Sequence, residues 1–247
     1  MPPAELAPLS HQIYDPHVNS SAARRPLLEC PQTDMRKTVL LPAMALFALL
    51  SACSETPTTN IAAKKEPEKV EPITGQTAVY RMYQAARSWA PDAQVLKLSS
   101  LHIGEAPDGP PASGAAPAWQ ATFTSQGRSE ARTYTYSVVE SQGNLHKGSF
   151  AGPQESWSGR SGVNSPFLIA AVKVDTDAAY KTAMSTAQSR AAEYDKKNPG
   201  KPITYVLEKT SKHPDPVWRV IWGESAGTSN FSVLIDASTG AYLETMR

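Results

Sequence analysis

The sequence predicts an α+β protein of two tandem units, each with one helix packed on an antiparallel sheet of three to four strands. A pattern typical of an amphipathic helix, followed by short alternating strand patterns, occurs twice along the chain. A turn containing glycine precedes the last strand of each series, at residues 141–144 and 236–240. Cys30 and Cys53, the two cysteines, lie before both series, so stability must come from a packed core rather than from disulfides.

The first unit is predicted to cover residues 76–151. Its helix, at 77–89, places Val79, Met82 and Ala86 on one face and ends before Pro91, because the residue before a proline disfavours helical backbone. A loop rich in proline and glycine is expected at residues 106–117. Strands are predicted at residues 94–103, 119–123, 133–138 and 145–150.

The second unit is predicted to cover residues 167–247, after a linker rich in serine and glycine at 152–166. The apolar run at 167–174 fits a buried strand or a short core helix, and its β-branched end favours a strand. Asp175 is the expected cap of a helix that continues to Asn198. Further strands are predicted at residues 203–207, 217–222, 230–235 and 241–244.

A short apolar segment at residues 39–50 follows Arg36-Lys37 and ends in Leu50-Ser51-Ala52-Cys53. It is shorter than the roughly 20 residues that a transmembrane helix needs, and its layout is that of a secretory signal. The end of the segment resembles the lipobox of bacterial lipoproteins. That resemblance implies a signal peptide at 35–52, cleavage between Ala52 and Cys53, and attachment of acyl chains such as palmitate to Cys53.

Residues 1–34 precede the signal, and we interpret them as an over-long gene start without fixed structure. Residues 53–75 are predicted to form the acylated cysteine and a flexible tether, because they contain too little apolar surface to fold. Ser54 stands where the lipoprotein family carries an aspartate for inner-membrane retention. The expected location is therefore the cell envelope, lipid-anchored at the outer membrane and facing the periplasm.

The stretch Asp236-Ala237-Ser238-Thr239-Gly240, between two strands, together with the alanines at 178, 179 and 183, resembles a PepSY domain. The resemblance covers roughly residues 175–247 and, more loosely, the first unit, which has Gly143 but lacks the Asp-Ala-x-Thr-Gly sequence. It implies a PepSY/cystatin-like fold and an envelope location. PepSY domains occur in protease propeptides, where they are associated with inhibition.

No catalytic, metal or cofactor site is predicted. His102 with Glu105, and His213 with Asp215, lack the spacing of metal ligands and are interpreted as solvated loop residues. The glycines around Ser161 lack the ending of a phosphate-binding loop. The net charge is +1, with 24 basic and 23 acidic residues, so a nucleic-acid surface is not expected.

Three tryptophans are candidates for surface recognition. Trp157 lies in the serine- and glycine-rich loop, where no helical or strand periodicity predicts a buried position for it. Trp218 and Trp222 share one strand face, which is either part of the core or an open aromatic groove for an extended peptide.

We therefore expect a non-enzymatic, membrane-anchored periplasmic lipoprotein. Its role would be to bind a peptide or an envelope protein, or to act as an accessory that modulates envelope peptidases. The alternatives are a small-ligand-binding protein or enzyme with a pocket between helix and curved sheet, and a purely structural envelope component.

Overall fold

The structure is a computed structural model that describes residues 70–104, 106–141, 145–159 and 164–247. Its first half contains β1 (Ile73–Thr74), α1 (Gly75–Trp89), β2 (Gln94–Leu101), β3 (Ala115–Ala116), β4 (Ala118–Ser125), β5 (Glu130–Ser137) and β6 (Gly148–Ser156). Its second half contains α2 (Thr176–Ser185), α3 (Ala191–Lys197), β7 (Ile203–Glu208), β8 (Val217–Trp222), β9 (Ser232–Asp236) and β10 (Tyr242–Met246).

Eight of these strands form one antiparallel sheet in the order β10-β9-β8-β7-β2-β4-β5-β6, and β1 pairs with β3. The predicted α+β class with antiparallel sheets is therefore confirmed. Each half is a helical segment followed by a four-stranded meander, but the two meanders are one continuous sheet.

The two halves join where β2 pairs with β7. Leu98 lies opposite Leu207, and both side chains are fully buried. Lys97 lies opposite Glu208, which places unlike charges directly across the strands. Apolar burial and charge complementarity at this seam therefore both favour a single sheet.

The helices cover one face of the sheet, with α1 over the first half and α2 over β8 and β9. Every second residue of these strands faces the helices and is buried, as the strand periodicity predicts. They include Trp119, Ala121 and Phe123 of β4, and Trp218, Val220 and Trp222 of β8. Burying a large apolar side chain contributes about 1.5–3 kcal/mol, so these residues dominate the core.

The N-termini of α1 and α2 meet at a shared cap. Oδ1 of Asp175 accepts hydrogen bonds from the backbone N–H of Gln76 at 2.9 Å and of Thr176 at 2.7 Å. The Thr176 hydroxyl accepts from the N–H of Gly75 and donates to the carbonyl of Gly114. A Cβ on Gly75 would lie 2.6 Å from the Trp218 ring, so the approach of the two helices requires glycine there.

Contacts inside the two halves are equivalent. The indole N–H of Trp119 donates to the carbonyl of Ile73 at 3.0 Å, and that of Trp218 donates to the carbonyl of Val174 at 2.7 Å. Each acceptor lies two residues before the first residue of the helix of its half. Trp119 and Trp218 therefore fix the start of the helix in their own halves by equivalent hydrogen bonds.

A second equivalence lies after β5 and β9. The N–H of Val138 donates to the carbonyl of Pro117 at 2.9 Å, and the N–H of Ala237 donates to the carbonyl of Pro216 at 2.9 Å. Both prolines stand two residues before the tryptophans just described. The halves thus share a pattern of contacts as well as an element order.

Several sequence predictions are wrong in detail. β1 at Ile73–Thr74 and the first residue of α1 lie within the predicted tether at 53–75, so the first unit begins before residue 76. β6 runs to Ser156, so the first unit does not end at residue 151 and the segment 152–166 is not all linker. The run at 167–174 is not a strand, because only Phe167 pairs with Val95 and a 3₁₀ turn follows at Ile169–Ala171.

The predicted second helix is interrupted between α2 and α3 by a 3₁₀ turn at Ala187–Ser189. The buried Ser189 hydroxyl donates to the carbonyls of Ala183 and Thr186, and it accepts from the N–H of Ala191. These bonds compete with the regular helical pattern and stabilise the break.

The predicted signal, the cleavage site after Ala52 and the acylated Cys53 lie outside the described residues. Within the part of the chain that the structure describes, no helix has the length and apolar character that crossing a membrane requires.

Candidate functional site

The open edge of the sheet at β6 is the candidate site. The sheet has two edge strands, β6 and β10. Six of the nine residues of β6 are exposed, against one of five in β10. No other strand among the described residues pairs with the outer side of β6. An edge of this kind presents backbone N–H and C=O groups that can pair with an added strand.

A bulge at Gly152 and Pro153 divides the edge. The register shifts between the Arg132–Gln154 and Tyr134–Ala151 pairs. A Cβ on Gly152 would lie 3.0 Å from the carbonyl oxygen of Thr133, and the Arg132 side chain donates to the Gly152 carbonyl at 2.8 Å. Proline and a bulge protect an edge strand from uncontrolled pairing. The bulge and Pro153 divide β6 into residues 148–151, where Ser149 and Phe150 are exposed, and residues 154–156, which are all exposed. We take residues 148–151 as the candidate run for specific pairing, because this run carries the exposed apolar side chain of Phe150.

Phe150 lies in that run and is 48 % exposed. Its ring contacts the His146 ring, with the centroids 4.8 Å apart. Phe150 pairs with Thr135, whose neighbours Tyr134 and Tyr136 are buried under α1. Phe150 therefore lies on the sheet face opposite the helix, where it can pack against a side chain of an added strand.

A cavity of about 330 Å³ lies at the start of β6, between α1 and β5. Its walls include Ile73, Arg81, Tyr136, Val138 and Lys147. The Arg81 guanidinium donates to the Tyr136 hydroxyl, and its Cζ lies 5.2 Å from the ring centroid. Arg81 and Lys147 supply two positive charges to the cavity, against the single carboxylate of Glu71. The charged side chains of the cavity therefore sum to a net positive charge, which favours an anionic group.

Glu140 fixes the position of Lys147 beside the cavity. Its carboxylate accepts from the backbone N–H of Lys147 at 2.9 Å and lies 2.6 Å from Nδ1 of His146. The hydrogen bond from Lys147, followed by that from His146, holds the pKa of Glu140 below its ordinary value. The carboxylate is thus kept ionised, and its bonds hold His146 and Lys147 in place.

The equivalent place in the second half is closed. The N–H groups of Lys173 and Val174 both donate to the carbonyl of Ala237 at 2.9 Å. Tyr136 has Ile235 as its counterpart, because the two residues lie opposite the equivalent tryptophans in the same register. The basic, hydroxyl-bearing cavity is therefore a difference between otherwise equivalent halves.

Trp157 follows β6 at the other end of the edge. Its backbone N–H donates to Ser129 at 2.9 Å, and its side chain is half-buried between two small cavities of about 330 and 150 Å³. The indole nitrogen is shielded from solvent and has no hydrogen-bond partner in the described structure. Trp157 thus lies at the end of the open edge, and its role in recognition stays a prediction.

The expectation of surface recognition is wrong for Trp218 and Trp222. Both side chains are fully buried, and core packing accounts for their place. The Trp218 indole donates to Val174 at 2.7 Å, and the Trp222 indole donates to the Asp195 carboxylate at 2.9 Å. Their polar atoms are satisfied inside the protein, as buried indoles require.

The interpretation of His102 and His213 as solvated loop residues is also wrong. Nδ1 of His102 lies 2.5 Å from the Asp108 carboxylate, and Nε2 lies 2.8 Å from the Thr204 hydroxyl. That buried hydroxyl donates to the Gly223 carbonyl at 2.6 Å, so it is not placed as a nucleophile. These bonds tie the loop after β2 to the second half.

His213 is 15 % exposed and contacts Glu244 at 3.1 Å. Glu105 lies outside the described residues, and Asp215 is exposed. Where side chains are described, no group of three or more histidine, cysteine or acidic residues is arranged to hold a metal ion.

No protein-family model and no curated protein matches the chain. Among solved structures, it is similar to one described as a "putative lipoprotein" from Clostridium difficile 630. The sequences are 9 % identical, the match covers 68 % of this chain and 91 % of the other, and the TM-score is 0.41. A similarity at this level has no bearing on what the present chain does.

Proposed function

We propose that the chain is a bacterial envelope lipoprotein that binds an extended segment of a protein partner along β6. The observation that carries this proposal is the open edge at residues 148–151, which begins beside a cavity lined by two cations. In this mode a partner strand pairs with the edge by main-chain hydrogen bonds, and pockets select its side chains.

The geometry defines the preferred segment. An apolar side chain would pack on Phe150, and an acidic side chain or a terminal carboxylate would enter the cavity near Arg81 and Lys147. Guanidinium and ammonium groups form strong, charge-assisted hydrogen bonds with carboxylates. Trp157 extends the surface past the end of β6. Binding of this kind requires no catalytic group.

The anchor and the module type belong to the same proposal. Cys53 carries the acyl chains after cleavage behind Ala52, and the segment between Cys53 and β1 tethers the folded part at the periplasmic side of the outer membrane. The repeated contacts of Trp119 and Trp218 support two PepSY-like modules in tandem. The PepSY resemblance makes modulation of envelope peptidases the accessory role to test first.

A photo-crosslinking amino acid at Phe150, in cells producing the full chain, tests the proposal. Leu168 is the matched control because it is also apolar and 62 % exposed, but lies outside β6. We expect a protein adduct from Phe150 only, weakened by Lys147→Glu. Equal adducts at both positions, or none from Phe150, would contradict binding at the edge. Cys53→Ser is expected to release the protein or to leave it unprocessed.

The small-ligand alternative is favoured by one observation, the position of the Arg81 cavity between α1 and the sheet. If it is correct, small carboxylates raise the Tm of the wild-type chain but not of Arg81→Ala, and no Phe150 adduct forms.

A further inference from the structure

A second basic cavity, of about 450 Å³, lies in the other half of the molecule. It is formed where α3 approaches the residues before β9 and the end of β10. Its charged side chains are those of Arg190, Glu193, Lys197 and Arg247. Because three of the four are cationic, the cavity carries an excess of positive charge.

The three cations are not neutralised within the protein. Among the described residues, no ion pair or hydrogen bond engages the side chains of Arg190, Lys197 or Arg247. Some other cations of the second half are engaged, as Lys181 is by Asp177 at 2.9 Å. A cavity with several unpaired cations lowers the free energy of a bound anion.

Arg190 occupies a backbone conformation that does not suit it. Its φ is 57° and its ψ 17°, in the left-handed region that glycine adopts without steric penalty. The corner is rigid, because the Ser189 hydroxyl bonds to Thr186 at 2.7 Å and the Thr245 hydroxyl donates to the Ser189 carbonyl at 3.0 Å. Strained residues of this kind cluster at functional sites and persist only where the surrounding structure holds them in place.

The floor of the cavity is also fixed. The rings of Tyr194 and Phe231 stack with centroids 4.1 Å apart and an angle of 6° between them. The Tyr194 hydroxyl donates to Asn230 at 2.7 Å and accepts from the Lys201 ammonium at 2.9 Å. These bonds fix the orientation of the Tyr194 ring, which lines the cavity.

We propose that this cavity binds a phosphate-bearing anion. Arginine presents paired N–H donors that match two phosphate oxygens, and a phosphate carries enough charge to balance several cations. The phosphate is supplied either as a free phosphoanion or as the headgroup of a membrane lipid, and the second source rests on the anchoring proposed above. The site is separate from β6, so it stands independently of the peptide-binding proposal.

Isothermal titration calorimetry on the full chain in a neutral, phosphate-free detergent tests the site. The two probes are inorganic phosphate and glycerophosphoglycerol, the headgroup of phosphatidylglycerol without its acyl chains. Saturable binding of inorganic phosphate identifies a free phosphoanion as the ligand. Preference for glycerophosphoglycerol identifies a lipid headgroup. Absence of binding by both probes overturns the proposal.

Arg190→Gly is the decisive variant because glycine suits the backbone there. We expect its affinity to fall by about tenfold, the equivalent of one charge-assisted contact, while its Tm stays equal or rises. Lys196→Ala, on α3 but outside the cavity, removes the same charge and is expected to change the affinity less than about twofold. Equal losses in the two variants would indicate unspecific attraction and would overturn the proposal.

Discussion

Replacing Asp175 tests whether one carboxylate stabilises both helices. Its Oδ1 accepts from the first turn of α1, at the N–H of Gln76, and from the first residue of α2, Thr176. A lost N-cap costs about 1 kcal/mol, and hydrogen bonds to charged groups contribute more. Because Asp175→Ala removes caps from two helices at once, we expect unfolding to require about 2–3 kcal/mol less free energy.

Urea unfolding followed by tryptophan fluorescence and by circular dichroism measures this loss. Asp177→Ala is the matched control, since it removes an aspartate two residues later whose bond is an exposed contact to Lys181. Such a pair contributes about 0.3–0.5 kcal/mol. Asp175→Asn keeps the accepting oxygen and should fall between the two. If Asp175→Ala costs no more than Asp177→Ala, the shared cap does not stabilise the fold.

Three further predictions concern the repeated contacts, a glycine and the loop at the cavity. Trp119→Phe and Trp218→Phe should each destabilise by about 2 kcal/mol in urea unfolding, and clearly unequal losses would contradict the equivalence of the halves. Gly114→Ala should cost at least about 3 kcal/mol in the same assay, because its φ is +62° and a Cβ would lie 2.2 Å from the N of Asp177. The contact of Glu140 with Lys147 should persist at pH values above the ordinary Glu pKa of 4.5 and disappear as the pH falls through the lower folded value, because protonation removes the charged acceptor. The Lys147 amide resonance should report this titration, and Glu140→Gln should abolish it.

The spacing of apolar residues along the chain correctly predicted the elements that depend on neighbouring residues alone. The face of α1 that carries Val79, Met82 and Ala86 is buried as expected, and the helix ends at Trp89 as predicted. The break before α3 was not predictable, because it depends on the buried hydroxyl of Ser189 and on bonds that only the folded chain forms. The pairing of β2 with β7 was missed for a related reason. A strand pattern shows which face is buried but not which strand lies beside it.

Local sequence patterns also did not predict the cavity beside β6. Arg81 lies on the polar face of α1, where an arginine is ordinarily solvated, and its partner Tyr136 is 55 residues away. The signal that sequence reasoning could have used is Tyr136 itself, since its hydroxyl falls on the buried side of an alternating strand and needs a partner. Trp157 was singled out because no periodicity explains it, and it does lie at the open edge.

The seam between β2 and β7 has a consequence for how this molecule can change over evolutionary time. In a symmetric dimer of separate subunits every substitution appears twice, so a new feature on one subunit is imposed on the other. Here the partner modules are covalently joined, and a substitution alters one of them alone. One module is then free to acquire an opening such as the one at Arg81 while its neighbour keeps the same position filled.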